Sequence, residues 1–60
     1  MRKLKQLRKE KAFTQIELSE RSGLSQSFIH DLETGKKDPT LKTLRKLAKA
    51  LGVPVSTLLE

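Results

Sequence analysis

The sequence contains no cysteine, tryptophan or tyrosine, a single histidine, and only two prolines and three glycines among its 60 residues. Without cysteine there is no disulfide staple and no thiolate metal site. With His30 alone, a histidine-based metal centre is not expected either. No apolar run approaches the ~20 residues needed to span a bilayer. The charged N-terminal stretch has no apolar segment behind it, so it does not read as a secretory signal peptide. A reducing cytoplasm is the expected compartment. No segment alternates with period two, so no strand is predicted. There is no internal repeat and no low-complexity linker, and the length allows one domain at most, residues 1–60. A chain this short hides only roughly 60% of the surface its unfolded form exposes. Its stability must come from helix packing, from helix caps or from a partner subunit.

Charge is what the sequence has in excess, a formal net charge of +6, and it is unevenly spread. Residues 1–11 carry six cations against Glu10, and residues 41–60 carry four against Glu60. Residues 12–40 carry three cations and five acids. The basic ends suit a polyanion. The acidic middle means that any polyanion meeting residues 14–35 would be read by contacts and not held by bulk charge. High charge also keeps a small domain soluble, so charge alone leaves both explanations open.

The chain reads as helix throughout. Met1, Leu4 and Leu7 begin an amphipathic helix that runs to about Lys11, where Phe13 closes it. Thr14-Gln15-Ile16-Glu17 fits a capping box, with Phe13 and Leu18 spaced as a hydrophobic staple. A second helix runs to about Ser22, and Gly23 is placed for the left-handed stop. Ser25 is a good N-cap for a third helix, in which Ile29 and Leu32 face inward and Gly35 ends the run. Lys36-Lys37-Asp38-Pro39 is the longest loop. Thr40 caps a fourth helix whose Leu41, Leu44, Leu47, Ala48 and Leu51 form one apolar stripe, with Lys42, Arg45, Lys46 and Lys49 on the wet side. Gly52 stops it, and Pro54 opens a last short turn ending in Leu58 and Leu59.

This pattern, from LRKEKAFTQIELSERSGLSQSFIHDLETG through KKDPTLKTLRKLAKALGV, resembles the lambda-repressor-like (Cro/repressor, XRE-type) helix-turn-helix family over about residues 3–59. Leu18, Leu24, Ile29 and Leu32 stand at its buried motif positions. Two residues depart from the pattern. Ser19 stands where the family favours alanine, and Ser22 where an apolar residue is common, which should slightly weaken the end of helix 2. The resemblance implies an all-α domain of five short helices, with the helix-turn-helix at about residues 14–35 and a recognition helix at about 25–34. It implies sequence-specific binding of double-stranded DNA by a transcriptional regulator, in a prokaryotic or phage-encoded, nucleoid-associated setting.

The resemblance also assigns roles. Gln26 and Ser27 match positions that reach base edges, and a glutamine amide suits N6 and N7 of adenine. Asp31 can accept from cytosine N4 or act as a repulsive filter, and Phe28 is expected half-buried beside the groove, within reach of a thymine methyl. Gln15 at the start of helix 2 matches a phosphate contact. Ser25 caps and can also touch a phosphate. Lys36, Lys37, Thr40 and Lys42 are expected to clamp the backbone, which positions without specifying. Arg8 matches a family arginine that pairs with a glutamate near the end of helix 3, here Glu33. His30 reads as a plain surface residue, and Lys3, Lys5, Lys9 and Lys11 as solvated. No small-molecule ligand, cofactor or metal is implied.

An enzyme is not expected. Ser25, Ser27, His30 and Asp31 include triad residue types, but on one short helix they fan around more than half its circumference. The alternative reading is a helix-turn-helix module that meets another protein and has little DNA specificity. A membrane-surface role for helix 1 finds only Leu4 and Leu7 to bury and no tryptophan. By resemblance a homodimer is expected on DNA, through the C-terminal residues 53–59, where Val53, Val55, Leu58 and Leu59 supply apolar surface. The competing possibility is that both leucines only cap the monomer core.

Overall fold

Each of the three middle helices begins where a side-chain oxygen takes over a stranded backbone amide. In the computed structural model, which describes all 60 residues, the helices are α1 (Arg2–Glu10), α2 (Gln15–Ser22), α3 (Gln26–Thr34), α4 (Leu41–Leu51) and α5 (Val55–Leu58), with no strand. Thr14 makes both halves of the capping box. The Glu17 amide donates to Thr14 Oγ1 at 3.0 Å, and the Thr14 amide donates to Glu17 Oε1 at 3.0 Å. The Thr14 backbone amide, with a smaller contribution from its hydroxyl, holds the Glu17 carboxyl below the ordinary glutamate range. Ser25 accepts from the Phe28 amide at 3.1 Å, and Thr40 from the Thr43 amide at 3.2 Å. Caps of this kind contribute about 1 kcal/mol each.

The stops are equally local. Gly23 and Gly35 adopt φ of +75° and +83°, the left-handed region where a Cβ is unfavourable. Beyond Gly35 the Lys36 amide reaches back to the Asp31 carbonyl at 2.9 Å, which satisfies the end of α3. The turn after α1 does the same without a glycine. Ala12 takes φ of +60°, so the Phe13 amide can donate to the Arg8 carbonyl at 3.0 Å. The expected weakness at Ser22 has a counterweight. Its hydroxyl oxygen accepts from the Leu24 amide at 3.2 Å, while the Ser19 hydroxyl donates to the Leu24 carbonyl. The two serines that depart from the family pattern thus pin the turn between α2 and α3.

One apolar core joins all five helices: Leu4 and Leu7 from α1, Leu18 from α2, Ile29 and Leu32 from α3, Leu44, Leu47, Ala48 and Leu51 from α4, and Leu58 from α5. Helix α2 packs on both α3 and α4, α1 on α3, and α5 on α4. Two sequence expectations need correction here. Leu41 lies on the α4 stripe by spacing but is 55% exposed, because the first residue of the helix overhangs the core. Thr43 is buried in that turn instead, its hydroxyl 3.1 Å from that of Thr40. The C-terminal leucines also part company. Leu58 is buried in the monomer, whereas Leu59 is 67% exposed. Val53 and Val55 are half-buried against the core. No helix is long and apolar enough to cross a membrane.

Candidate nucleic-acid interface

Burying Ile29 and Leu32 fixes which side of α3 meets solvent. At about 100° per residue, the opposite side carries Ser27, His30 and Thr34, with Gln26 and Asp31 flanking it. Ser25, Gln26, Ser27, His30 and Thr34 are exposed, and Phe28 and Asp31 are half-buried at the edges. The face therefore bears hydroxyls, an amide, an imidazole and a carboxylate, with no large apolar side chain to be covered. The Thr34 hydroxyl is used within the helix, donating to the His30 carbonyl at 3.0 Å.

The N-terminus of α3 lies on this face, that of α2 meets it through Gln15 and His30, and α4 opens beyond the loop that follows α3. The opening amides of α2, α3 and α4 have no intrahelical acceptor, and each terminus carries a partial positive charge. Thr14, Ser25 and Thr40 satisfy one deeper amide each and leave the first two free. Lys36, Lys37 and Lys42 are all exposed. Lys37 is already partnered: its Nζ lies 3.5 Å from Asp31 Oδ2 and 5.8 Å from the centre of the Phe28 ring. Asp31, 17% exposed, thus faces the loop lysine through one carboxylate oxygen at the edge of the face.

Behind the face, α3 is anchored to α1. Arg8 Nε donates to Glu33 Oε2 at 2.7 Å and Nη2 to Oε1 at 3.1 Å, while Nη1 donates to the Phe13 carbonyl at 2.8 Å. The side chains are only 10% and 2% exposed. Burial pushes the Glu33 carboxyl up, but the hydrogen bonds from Arg8 and Gln15 outweigh it, and the net shift is downward. The hydrogen bond to Glu33 raises Arg8 in turn. The expected Arg8–Glu33 ion pair is therefore present and bidentate. The sequence did not disclose its third member. Gln15 Nε2 donates to Glu33 Oε1 at 3.1 Å and lies 3.5 Å from His30 Nδ1. No local spacing signals this, since the partners are 18 and 15 residues apart.

The structure brings Gln15 at the start of α2 to His30 and Glu33 of α3, while Ser25, Gln26 and Ser27 open α3 and Lys36 and Lys37 follow its far end. Thr40 and Lys42 sit at the start of α4. Arg21, Lys46 and Lys49 lie elsewhere, lining a shallow cleft of about 470 Å³ with Ser22 and Ala50 at the C-terminal halves of α2 and α4.

Two capped helices joined at Gly23 make a helix-turn-helix, and comparison with known proteins points to the same motif. The model of the helix-turn-helix family matches residues 4–58. This chain belongs to that family. The helix-turn-helix chain is 41% identical over 56 residues to the immunity repressor protein of Bacillus phage phi105, covering 93% of this chain and 39% of that protein. It is 53% identical over 47 residues to an uncharacterized HTH-type transcriptional regulator, y4dJ, of Sinorhizobium fredii, covering 78% of this chain and 61% of that one. The chain thus spans roughly two-fifths to three-fifths of these relatives. Among solved structures it superposes on the restriction-modification controller protein C.AhdI from Aeromonas hydrophila with a TM-score of 0.93 at 33% identity, covering 95% of this chain and 86% of that one. The N-terminal DNA binding domain of SinR from Bacillus subtilis gives a TM-score of 0.88 at 36% identity, covering 95% and 84%. The lambda-repressor-like, five-helix fold expected from the sequence is the fold found.

Proposed function

We propose that residues 1–60 act as one domain that binds double-stranded DNA sequence-specifically, as the DNA-binding unit of a transcriptional repressor in a bacterial or phage-infected cytoplasm. One observation carries this reading. The polar face of α3 is uncovered, the helix opens on amides that its Ser25 cap leaves free, and Lys36, Lys37 and Lys42 are exposed in the loop and helix that follow. An α-helix fits the major groove, where each base pair shows a distinct pattern of donors and acceptors. Gln26 and Ser27, in the exposed first turn, are the assigned base readers, with Asp31 and Phe28 at the edge of the face. Gln15, Ser25 and Thr40, at the helix starts where free amides collect, with Lys36, Lys37 and Lys42, are the assigned backbone contacts. The names of the relatives, a phage immunity repressor and HTH-type transcriptional regulators, support the regulatory role.

Selection of binding sites from random duplex DNA tests the proposal. Gln26→Ala should cost about 1–3 kcal/mol on the selected site and relax preference at one base pair. Retention of both affinity and preference would remove Gln26 from the interface. A chain that selects no sequence at all would instead act as a protein-interaction module. Two-fold dimers place recognition helices in successive major grooves about 34 Å apart. The proposed dimer surface is narrowed by the burial of Leu58 to Leu59 with the half-buried Val53 and Val55. Sedimentation on the selected duplex should give two chains per site. One chain at saturation, on a site without an inverted repeat, would exclude the dimer.

A further inference from the structure

The least expected feature of the reading face is the Gln15 side chain, whose chemistry fixes the orientation of its amide. Glu33 is an ionised carboxylate gripped by Arg8, so it accepts hydrogen bonds and donates none. The group that Gln15 turns toward it at 3.1 Å must be the NH2 and not the oxygen. The second hydrogen of that nitrogen points toward His30 Nδ1, 3.5 Å away. Gln15 Oε1 has no hydrogen-bond partner within the chain. No buried side-chain oxygen or nitrogen lacks one, so Oε1 meets solvent. Held this way, the side chain offers only an acceptor. A phosphate oxygen is also an acceptor, so the side chain cannot bond the DNA backbone, and that contact falls to the free amides of α2.

The same chain of bonds sets His30. If Nδ1 accepts from Gln15, the neutral ring carries its proton on Nε2, on the exposed side of α3. An outward acceptor on Gln15 and an outward donor on His30 then stand side by side. We propose that Gln15 and His30 form a second base-reading element, oriented from inside by the Arg8–Glu33 pair, that selects adenine over guanine at one position of the site. Adenine presents N6–H2 as donor beside N7 as acceptor, the complement of this pair. Guanine presents two acceptors, and its O6 would face Gln15 Oε1. Gln15 and His30 would thus read a base pair other than the one read by Gln26. This inference rests on the proposed DNA binding, and its test separates the two.

The first measurement uses the free protein. In its NMR spectrum the Gln15 side-chain NH2 protons should resonate downfield of those of exposed glutamines and exchange slowly. Both properties should collapse in Glu33→Ala or Arg8→Ala, or, where those variants do not fold, in the milder Arg8→Lys. A Gln15 NH2 indistinguishable from that of an exposed glutamine overturns the assigned orientation, whatever the protein binds. The second measurement is site selection on duplex DNA. Gln15→Ala and His30→Ala should relax the same base-pair position, lowering the adenine-over-guanine ratio there by about tenfold, the scale of one lost contact of ~1.4 kcal/mol. Gln26→Ala should act at a different position. Because the readout is a ratio between two duplexes, a loss of folded protein does not mimic it. Uniform weakening by Gln15→Ala with unchanged preferences would make it a backbone contact and overturn the proposal. A wild-type chain that selects no sequence, with the shifted Gln15 amide present, would defeat both readings of DNA binding and leave only the buried network.

Discussion

Glu33→Gln is the sharpest perturbation this fold offers. The carboxylate accepts three hydrogen bonds, two from Arg8 and one from Gln15, and its side chain is 2% exposed. Glutamine keeps the volume but has one oxygen, so an NH2 must face at least one of these donors. Arg8, 10% exposed, is left with an uncompensated buried charge. Removing one partner of a buried pair typically costs about 3–5 kcal/mol. At about 0.05–0.15 kcal/mol per residue, a domain of 60 residues holds only ~3–9 kcal/mol in total. With about 4–8 °C of melting temperature per kcal/mol in so small a domain, Glu33→Gln should melt roughly 12 °C or more below the wild type. Circular dichroism at 222 nm with urea and heat would measure this. The double variant Arg8→Met/Glu33→Met should lose less than the sum of its singles, because both charges leave together. Acid adds a further check. The folded pKa of Glu33 is depressed, so this carboxyl binds protons more readily in the unfolded chain. Its contribution is complete above the ordinary value of 4.5 and is lost as pH falls through the lower, folded value. Glu33→Gln should therefore have a flatter stability profile below that pH. A variant that melts within about 0.5 kcal/mol of wild type, the range of an ordinary surface change, would refute the assigned role of the pair.

Two further outcomes follow from the same geometry. Ala12→Gly should raise stability by roughly 0.5 kcal/mol, since relief of ~1 kcal/mol of left-handed strain exceeds the added freedom of the unfolded chain; an unchanged or lower urea midpoint would show that Ala12 is unstrained. Asp31→Asn frees Lys37 from its 3.5 Å pair for a phosphate contact, so it should steepen the salt dependence by up to about 0.9. Identical salt slopes would mean that the 3.5 Å pair does not restrain Lys37 in solution.

Features that depend on residues three or four apart were legible before folding. Thr14, Ser25 and Thr40 announced the helix starts, Gly23, Gly35 and Gly52 the stops, and Leu18, Ile29, Leu32, Leu44 and Leu47 the inward faces, because caps and helix periodicity are local chemistry. Arg8–Glu33 became legible only through resemblance to a family, since nothing in a spacing of 25 residues predicts contact. Where the chain overhangs its own core, spacing misled. Leu41 and Leu59 fit the apolar pattern, yet each lies at a helix end with nothing packed over it. The turn at Ala12 escaped notice because alanine does not signal a left-handed residue. Tertiary structure alone decided how the polar residues of the reading face are spent. Packing α2 against α3 brings Gln15 to Glu33 and His30, and the α3–α4 loop brings Lys37 to Asp31. A side chain's donors and acceptors can be counted from its type, but which of them remain free depends on neighbours that only the fold supplies.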